Sequence, residues 1–280
     1  MVSTTLLCCD PVSGLVPPNL TGELMVDTVQ QKYNRHFYDD ITDTSVLSAD
    51  VILRILYEIY QPRSVIDVGC GKGSWLAVAE SLGSTTLVGL DGNWIEREQL
   101  LSKNIQFIPS DFEDLPDLNE KYDLCISLEV AEHVSERNAR SFIERLCKAS
   151  DVILFSAAIA YQGGTHHVNE QWQSYWLALF RDNGYAGFDI FRGHIWNDET
   201  VAWWFRQNVY LYVNQKSHVL DSAQLKKLEK TIPDIIHPRN YEIKVNRFQQ
   251  LLKEPTLKIC LQCMRYYLVA RVKRLLRGSN

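Results

Sequence analysis

The run Val65-Ile66-Asp67-Val68-Gly69-Cys70-Gly71-Lys72-Gly73 restricts this chain more than any other feature in it. A short apolar strand pattern leads into three glycines spaced G-x-G-x-G, and a helical pattern begins directly behind them. Glycines at such a turn let the backbone fold back tightly and let a ligand lie close to the main chain. A strand that feeds a helix through a glycine turn is the opening unit of an open α/β sheet. The dinucleotide fingerprint has G-x-G-x-x-G, whereas here the sixth position is Ser74. A pyrophosphate would use the free N–H groups of the helix start. Asp67, just ahead of the turn, suits instead a ligand that brings an ammonium group.

The residues beyond the turn support a sheet. Strand patterns at Ser64–Val68, Thr86–Leu90, Ile105–Ile108, Tyr122–Leu128 and Val152–Ser156 alternate with helical patterns at 73–82 and 138–149. Alternation of this kind predicts an α/β, Rossmann-like, doubly wound sheet, mostly parallel, with helices on both faces. Ser48 is read as the N-cap of a helix carrying Val51, Ile52, Ile55, Leu56 and Ile59, which Pro62 ends. Beyond Ser156, Glu170–Asp182 reads as a helix. Phe188–Trp196 and Asn208–Asn214 read as strands that pair antiparallel at the end of the sheet, with a short helix or turn over 197–207. Three segments are expected: an irregular cover at 1–45, a ligand-binding domain at 46–215 and a helical basic extension at 216–280.

Acids stand where the strands end. Asp91, followed by Gly92, closes the second strand, where open α/β folds hydrogen-bond a ribose. Asp111 closes the third, with Phe112 behind it to lie along an aromatic ring, and Glu129 follows the fourth. Any one of these could be an ordinary loop acid; with Asp67 they make four in register with a glycine turn, and that points to a nucleoside ligand. VIDVGCGKG, VGLDG, SDFED and YDLCISLEVAEHV together resemble the motifs of class I S-adenosylmethionine-dependent methyltransferases of the small-molecule type. The resemblance implies that Gly69, Cys70, Gly71 and Gly73 shape the S-adenosyl-L-methionine turn and that Asp91 holds the ribose. It places Asp111 and Phe112 at the adenine, and Leu128 and Glu129 at the methionine part. A looser likeness over residues 30–245 is to enzymes of bacterial glycan-assembly and secondary-metabolite gene clusters.

That resemblance implies methyl transfer to a small acceptor, most simply a sugar or metabolite hydroxyl. The alternatives are N-methylation of a small amine, and a non-catalytic cofactor-binding module in a glycan-assembly complex. An oxygen nucleophile calls for a base, and histidine titrates near neutrality. His133 lies in EVAEHV just past the fourth strand; it either acts directly or orients its loop. His166 and His167 lie in QGGTHHVNEQW, where Gly163 and Gly164 would give a lid its mobility. His166, His167 and Glu170 have a spacing that can bind a metal, but no second cluster accompanies them and no metal is expected. Tyr38, Glu170, Trp196 and Trp203 are the candidate acceptor contacts. The aromatics Trp172, Tyr175, Trp176 and Phe180 recur at helical spacing and read as core.

Bulk properties narrow the partners. A net charge of −5 argues against a general nucleic-acid binder, which needs excess Lys and Arg. Seven scattered cysteines form no disulfide framework and fit a reducing, cytoplasmic setting. Cys260-x-x-Cys263 reads as two helical cysteines one turn apart rather than a metal or redox pair. No signal peptide and no spanning segment is expected. Residues 258–277 carry six basic residues and no acid, interleaved with apolar ones. This is either an amphipathic helix for an anionic membrane or a partner, or a docked helix with a solvated basic face.

Overall fold

The computed structural model describes residues 35–118, 120–217, 234–254 and 257–277. The cover segment up to residue 34, and the side chain of Tyr38, lie outside the described residues. The chain divides into two compact units at Ile235/Ile236. In the first unit, helix α1 (Arg35–Ile59) precedes β1 (Ser64–Val68), α2 (Ser74–Ser81), β2 (Thr86–Asp91), β3 (Ile105–Pro109), β4 (Leu124–Leu128), α3 (Glu136–Ala149) and β5 (Val152–Ser156). Then come α4 (Gln173–Asp182), β6 (Tyr185–Phe188), α5 (Arg192–Ile195), α6 (Trp203–Asn208) and β7 (Tyr210–Asn214). The second unit holds α7 (Pro238–Lys253) and α8 (Leu257–Arg277).

The seven strands form one sheet in the order β3-β2-β1-β4-β5-β7-β6. All neighbours pair in parallel except β7, which runs antiparallel to both β5 and β6. The predicted sheet and its late antiparallel strand are therefore found. Alternate residues of each strand feed two cores. Val65, Leu124, Ile126, Val152 and Leu154 face α1 and α2, where Ile52, Leu53, Leu56 and Leu76 are fully buried. Ile66, Cys125, Ile153 and Phe155 face α3 and α4. Helix α3 buries Ala139, Phe142, Ile143 and Leu146, a stripe at spacings of three and four. On α4, Trp176 and Phe180 are buried, and the Phe180 ring stacks on Tyr212 at 3.8 Å between centroids. Trp176 and Phe180 are core, as the spacing predicts, while Trp172 and Tyr175 are half-buried.

Two local expectations fail. Ser48 is not an N-cap: α1 starts at Arg35 and runs unbroken through it. The Ser48 hydroxyl donates to the Thr44 carbonyl at 2.8 Å and accepts from the Ala202 N–H at 3.0 Å. It serves a tertiary contact 154 residues away in sequence. The stretch 188–196 is not a strand. Only Tyr185–Phe188 pairs, and Asp189 then accepts from the Arg192 N–H and forms an ion pair with its guanidinium at 2.7 Å. That reverses the chain into α5, on which buried Phe191 and Ile195 lie four residues apart on one face. His194 is therefore on a short helix and exposed.

Candidate active site

Sheet order reverses between β1 and β4, and ligands of open α/β sheets bind outside the carboxyl ends of the strands at such a switch point. The glycine turn leaves β1 there. Gly69, Gly71 and Gly73 have φ of 94°, 53° and 79°. The N–H groups of Gly69 and Cys70 both donate to the Leu90 carbonyl, at 2.8 and 3.0 Å. The Gly71 N–H donates to Asp91 Oδ2 and the Gly92 N–H to Asp91 Oδ1, each at 2.7 Å. The turn and the end of β2 are thus one hydrogen-bonded unit, with buried Asp91 as its clasp. Each of its oxygens keeps a lone pair for a ligand hydroxyl. Burial raises the Asp91 carboxyl to about 6, against the two N–H groups that favour its charged form. Cys70 is buried behind the turn, with its sulfur close to Gly89.

Asp67 is 2% exposed and its Oδ2 has no hydrogen-bond partner. Burial first, and the Asp91 charge second, push its carboxyl well above the usual range. An unpaired carboxylate oxygen there is costly unless a ligand meets it. An ammonium-bearing, ribose-bearing cofactor satisfies both acids, so the turn fits S-adenosylmethionine. Beyond β3, Asp111 caps a short 3-10 turn by accepting from the Glu113 N–H at 2.9 Å. Glu113 in turn accepts from the Ser135 N–H and hydroxyl at 2.8 and 2.7 Å, fastening this loop to the start of α3. Phe112 is half-buried against the α3-side core, and Asp111 stays exposed.

After β4 the chain passes from half-buried Glu129 (φ 55°) and buried Val130 into a 3-10 turn, Ala131–His133. Val130 packs on the glycine turn: a Cβ on Gly69 would lie 2.1 Å from Val130 Cγ2. The loop after β5 folds back onto this turn, because Val168 and Asn169 both donate backbone N–H groups to the Glu132 carbonyl, at 2.9 and 3.0 Å. That brings His167 to His133, with ring centroids 4.9 Å apart and edge-to-face. His133 Nδ1 lies 3.4 Å from the His166 carbonyl oxygen, and His167 Nδ1 lies 2.9 Å from Glu170 Oε1. Burial, then repulsion from His167, lowers His133 to about 4, so it is neutral at physiological pH. Outside glycine, the described residues with left-handed backbone are Glu129, Tyr161 and His166, all in this region.

Of the candidate site residues, His133, His167 and Glu170 come together as a cluster, while the His166 side chain is exposed and its carbonyl faces His133 Nδ1. A Cβ on Gly164 would run into the His167 ring, so the bareness of this glycine seats that imidazole. Trp203 lies edge-on to Trp204, which packs with Phe205 over Trp75. Trp196 is half-buried on the same α5–α6 segment, and its carbonyl accepts from Arg206. Sequence reasoning missed three residues. Gln162 and Asn208 donate to the two Glu129 oxygens at 3.3 and 3.2 Å, from elements 33 and 79 residues away. Glu132, whose side chain is fully buried, lies with one oxygen 4.0 Å from His167 Nε2. Its three-residue spacing from Glu129 within EVAEHV was the available signal.

Fold and site define a Rossmann-like protein that binds a nucleoside-bearing sulfonium cofactor. The comparisons agree: residues 41–228 match the family described as methyltransferase domain, and the chain belongs to this family of S-adenosylmethionine-dependent methyltransferases. Among curated relatives it is 29% identical over 118 residues to a tRNA U34 carboxymethyltransferase of Pseudomonas fluorescens, covering 38% of this chain and 36% of that one. It is 27% identical over 194 residues to the mitochondrial ubiquinone biosynthesis O-methyltransferase of Dictyostelium discoideum, covering 56% and 59%. The chain thus spans less than two thirds of the length of either relative. A solved neighbour is the magnesium protoporphyrin IX methyltransferase of Synechocystis with bound S-adenosylhomocysteine, at 18% identity and a TM-score of 0.48 over 65% of this chain and 88% of that one. The relatives' acceptors range from tRNA to small molecules, so net charge alone does not set aside a nucleic-acid acceptor.

Proposed function

We propose that this chain methylates an oxygen of a small acceptor, a sugar or metabolite hydroxyl, and that His133 and His167 handle that hydroxyl. The observation that carries the reading is the imidazole pair, 4.9 Å apart, with His133 at the end of a turn entered from Val130, which packs against the cofactor glycines. Bound S-adenosylmethionine supplies an electrophilic methyl group. Asp67, Asp91 and the glycine turn hold it, and Asp111 with Phe112 covers the adenine. Both histidines direct Nδ1 at an acceptor, the orientation in which a neutral imidazole carries its lone pair on Nε2. The amine reading would hold its cation on Asp198, Glu199 and the neighbouring tryptophans, and it has less behind it: Asp198 Oδ1 already accepts from the Thr200 N–H and hydroxyl at 2.9 and 2.6 Å.

The test is transfer of labelled methyl from S-adenosylmethionine to a panel of sugars, phenols, amines and tRNA. Label on hydroxyl acceptors is expected. His133→Ala and His167→Ala should each lower kcat by roughly a hundredfold or more, the size of a general-base contribution, with S-adenosylhomocysteine affinity within twofold of wild type. Label confined to amines or tRNA, or full activity in both variants, would refute the reading.

The five described cysteines are unpaired, which supports a reducing, cytoplasmic setting. No described helix is long and apolar enough to cross a membrane. On α8, exposed Leu257, Leu261, Met264 and Leu268 recur every three or four residues among basic positions. We read this as a peripheral contact with an anionic surface. The protein should float with liposomes containing anionic lipid at low salt and release at high salt; failure to float at low salt ends that reading.

A further inference from the structure

We propose that Glu132, His133 and His167 form a binding site for a divalent transition-metal cation such as Zn²⁺. Their ligand atoms, one from each residue, all lie within 4.8 Å of one another. The elements that bring them together are 33 residues apart and are locked by the two N–H bonds to the Glu132 carbonyl. Two histidines and one glutamate are a donor set used by catalytic zinc, which keeps a fourth position open. Tetrahedral zinc holds such ligands about 3.3 Å apart. A side-chain rotation of under about 1 Å brings Glu132 Oε1 and His167 Nε2, now 4.0 Å apart, to that spacing.

Two further observations point to a cation. The Glu132 side chain is fully buried, its carboxylate lies beside that of Glu129, and the backbone N–H groups of Glu132 and Ala158 offset the charge only in part. A group in that position is costly unless something positive meets it. Both histidines are also oriented as metal ligands are. In such sites the ring nitrogen away from the metal donates to a carboxylate or a backbone carbonyl. His167 Nδ1 has the Glu170 carboxylate at 2.9 Å and His133 Nδ1 has the His166 carbonyl at 3.4 Å. Those partners fix the tautomers with the lone pairs on Nε2, and His167 Nε2 is the atom that faces Glu132. The left-handed backbone of His166 (φ 60°) and the bareness of Gly164 then have a purpose, since one aims the carbonyl and the other makes room for the His167 ring.

Ion binding stands on this geometry alone. Its use rests on the proposed function and changes how the histidines serve it: with their Nε2 atoms on the ion, the open position would take the acceptor hydroxyl, whose O–H the cation would acidify, and the proton would pass to solvent rather than to an imidazole. The test uses full-length protein without cofactor, titrated with Zn²⁺ and with Co²⁺ as a spectroscopic probe. One ion per chain is expected, with the intense visible absorption of low-coordinate Co²⁺. Glu132→Gln and His167→Gln should each weaken ion binding at least tenfold while S-adenosylhomocysteine affinity stays within twofold. His167→Gln lies on the loop and keeps the test open if Glu132→Gln does not fold. Absence of a stoichiometric ion, or unchanged ion affinity in folded variants, overturns the inference. Stoichiometric ion binding without any methyl transfer would sink the proposed function and leave this site standing.

Discussion

Asp91→Ala is expected to weaken S-adenosylhomocysteine binding by at least tenfold, about 1.4 kcal/mol. Two losses combine. The carboxylate that would accept from the ribose hydroxyls disappears, and so do the acceptors for the Gly71 and Gly92 N–H groups, which hold the turn in shape. Asp91→Asn separates them in part, because an amide keeps one acceptor oxygen and loses the charge. It should fall between wild type and alanine. Isothermal titration reads all three; alanine affinity equal to wild type would refute the assignment of Asp91 to the cofactor.

The same carboxyl predicts a pH dependence. Burial holds it at about 6, above its ordinary value of 3.8, so the folded cofactor-free protein takes up a proton there more readily than the unfolded chain does. Asp91 thus makes stability fall as pH rises from about 4 to 6, after which its contribution is level. Ligand hydroxyls favour the charged form and pull the carboxyl back down. Cofactor affinity should therefore drop as pH falls below about 6 and be flat above it. Asp67 is raised too, by burial first and the Asp91 charge second, so it adds a dependence of the same sign. Asp91→Ala should flatten it in part.

How legible all this was in the sequence depended on the range of the forces involved. Strands β1 to β5 and their helices could be read because each buries a local pattern against one sheet. The glycine turn could be read because positive φ demands its residue type. Ser48 could not, because its partner is the Ala202 N–H, and a helix-interior hydroxyl looks like a cap when that partner is unseen. The FDIFRGHIW stretch has strand composition, yet the Asp189–Arg192 pair and the burial of Phe191 and Ile195 turn it into a helix. The histidines were nominated by type and position, but their grouping was not. It depends on a loop folding back to the Glu132 carbonyl, which sets Glu132, His133 and His167 together. Glu170 instead holds the His167 ring and the Gly163 N–H.

Gly69→Ala should be the most damaging single-methyl change in the cofactor turn. Its φ of 94° is a left-handed conformation that an L side chain adopts only with strain, and the added Cβ would stand 2.1 Å from Val130 Cγ2. Val130 is 5% exposed and sits between β4 and the histidine turn, so it cannot retreat without moving His133. Strain and overpacking together come to about 2–4 kcal/mol, a fall in Tm on the order of 10 °C for a domain of this size. S-adenosylhomocysteine binding should weaken at least a hundredfold, because the turn must shift to relieve the contact. Gly83→Ala is the control: it carries the same backbone problem at φ 110°, but a Cβ there meets nothing within 4 Å. It should lose stability to strain alone and keep its cofactor affinity. Gly69 matters here as the point where the cofactor turn touches the chain leading to the histidines. If Gly69→Ala binds cofactor as well as Gly83→Ala does, the glycine is a bend only, and the close packing of turn on Val130 has no part in holding the site.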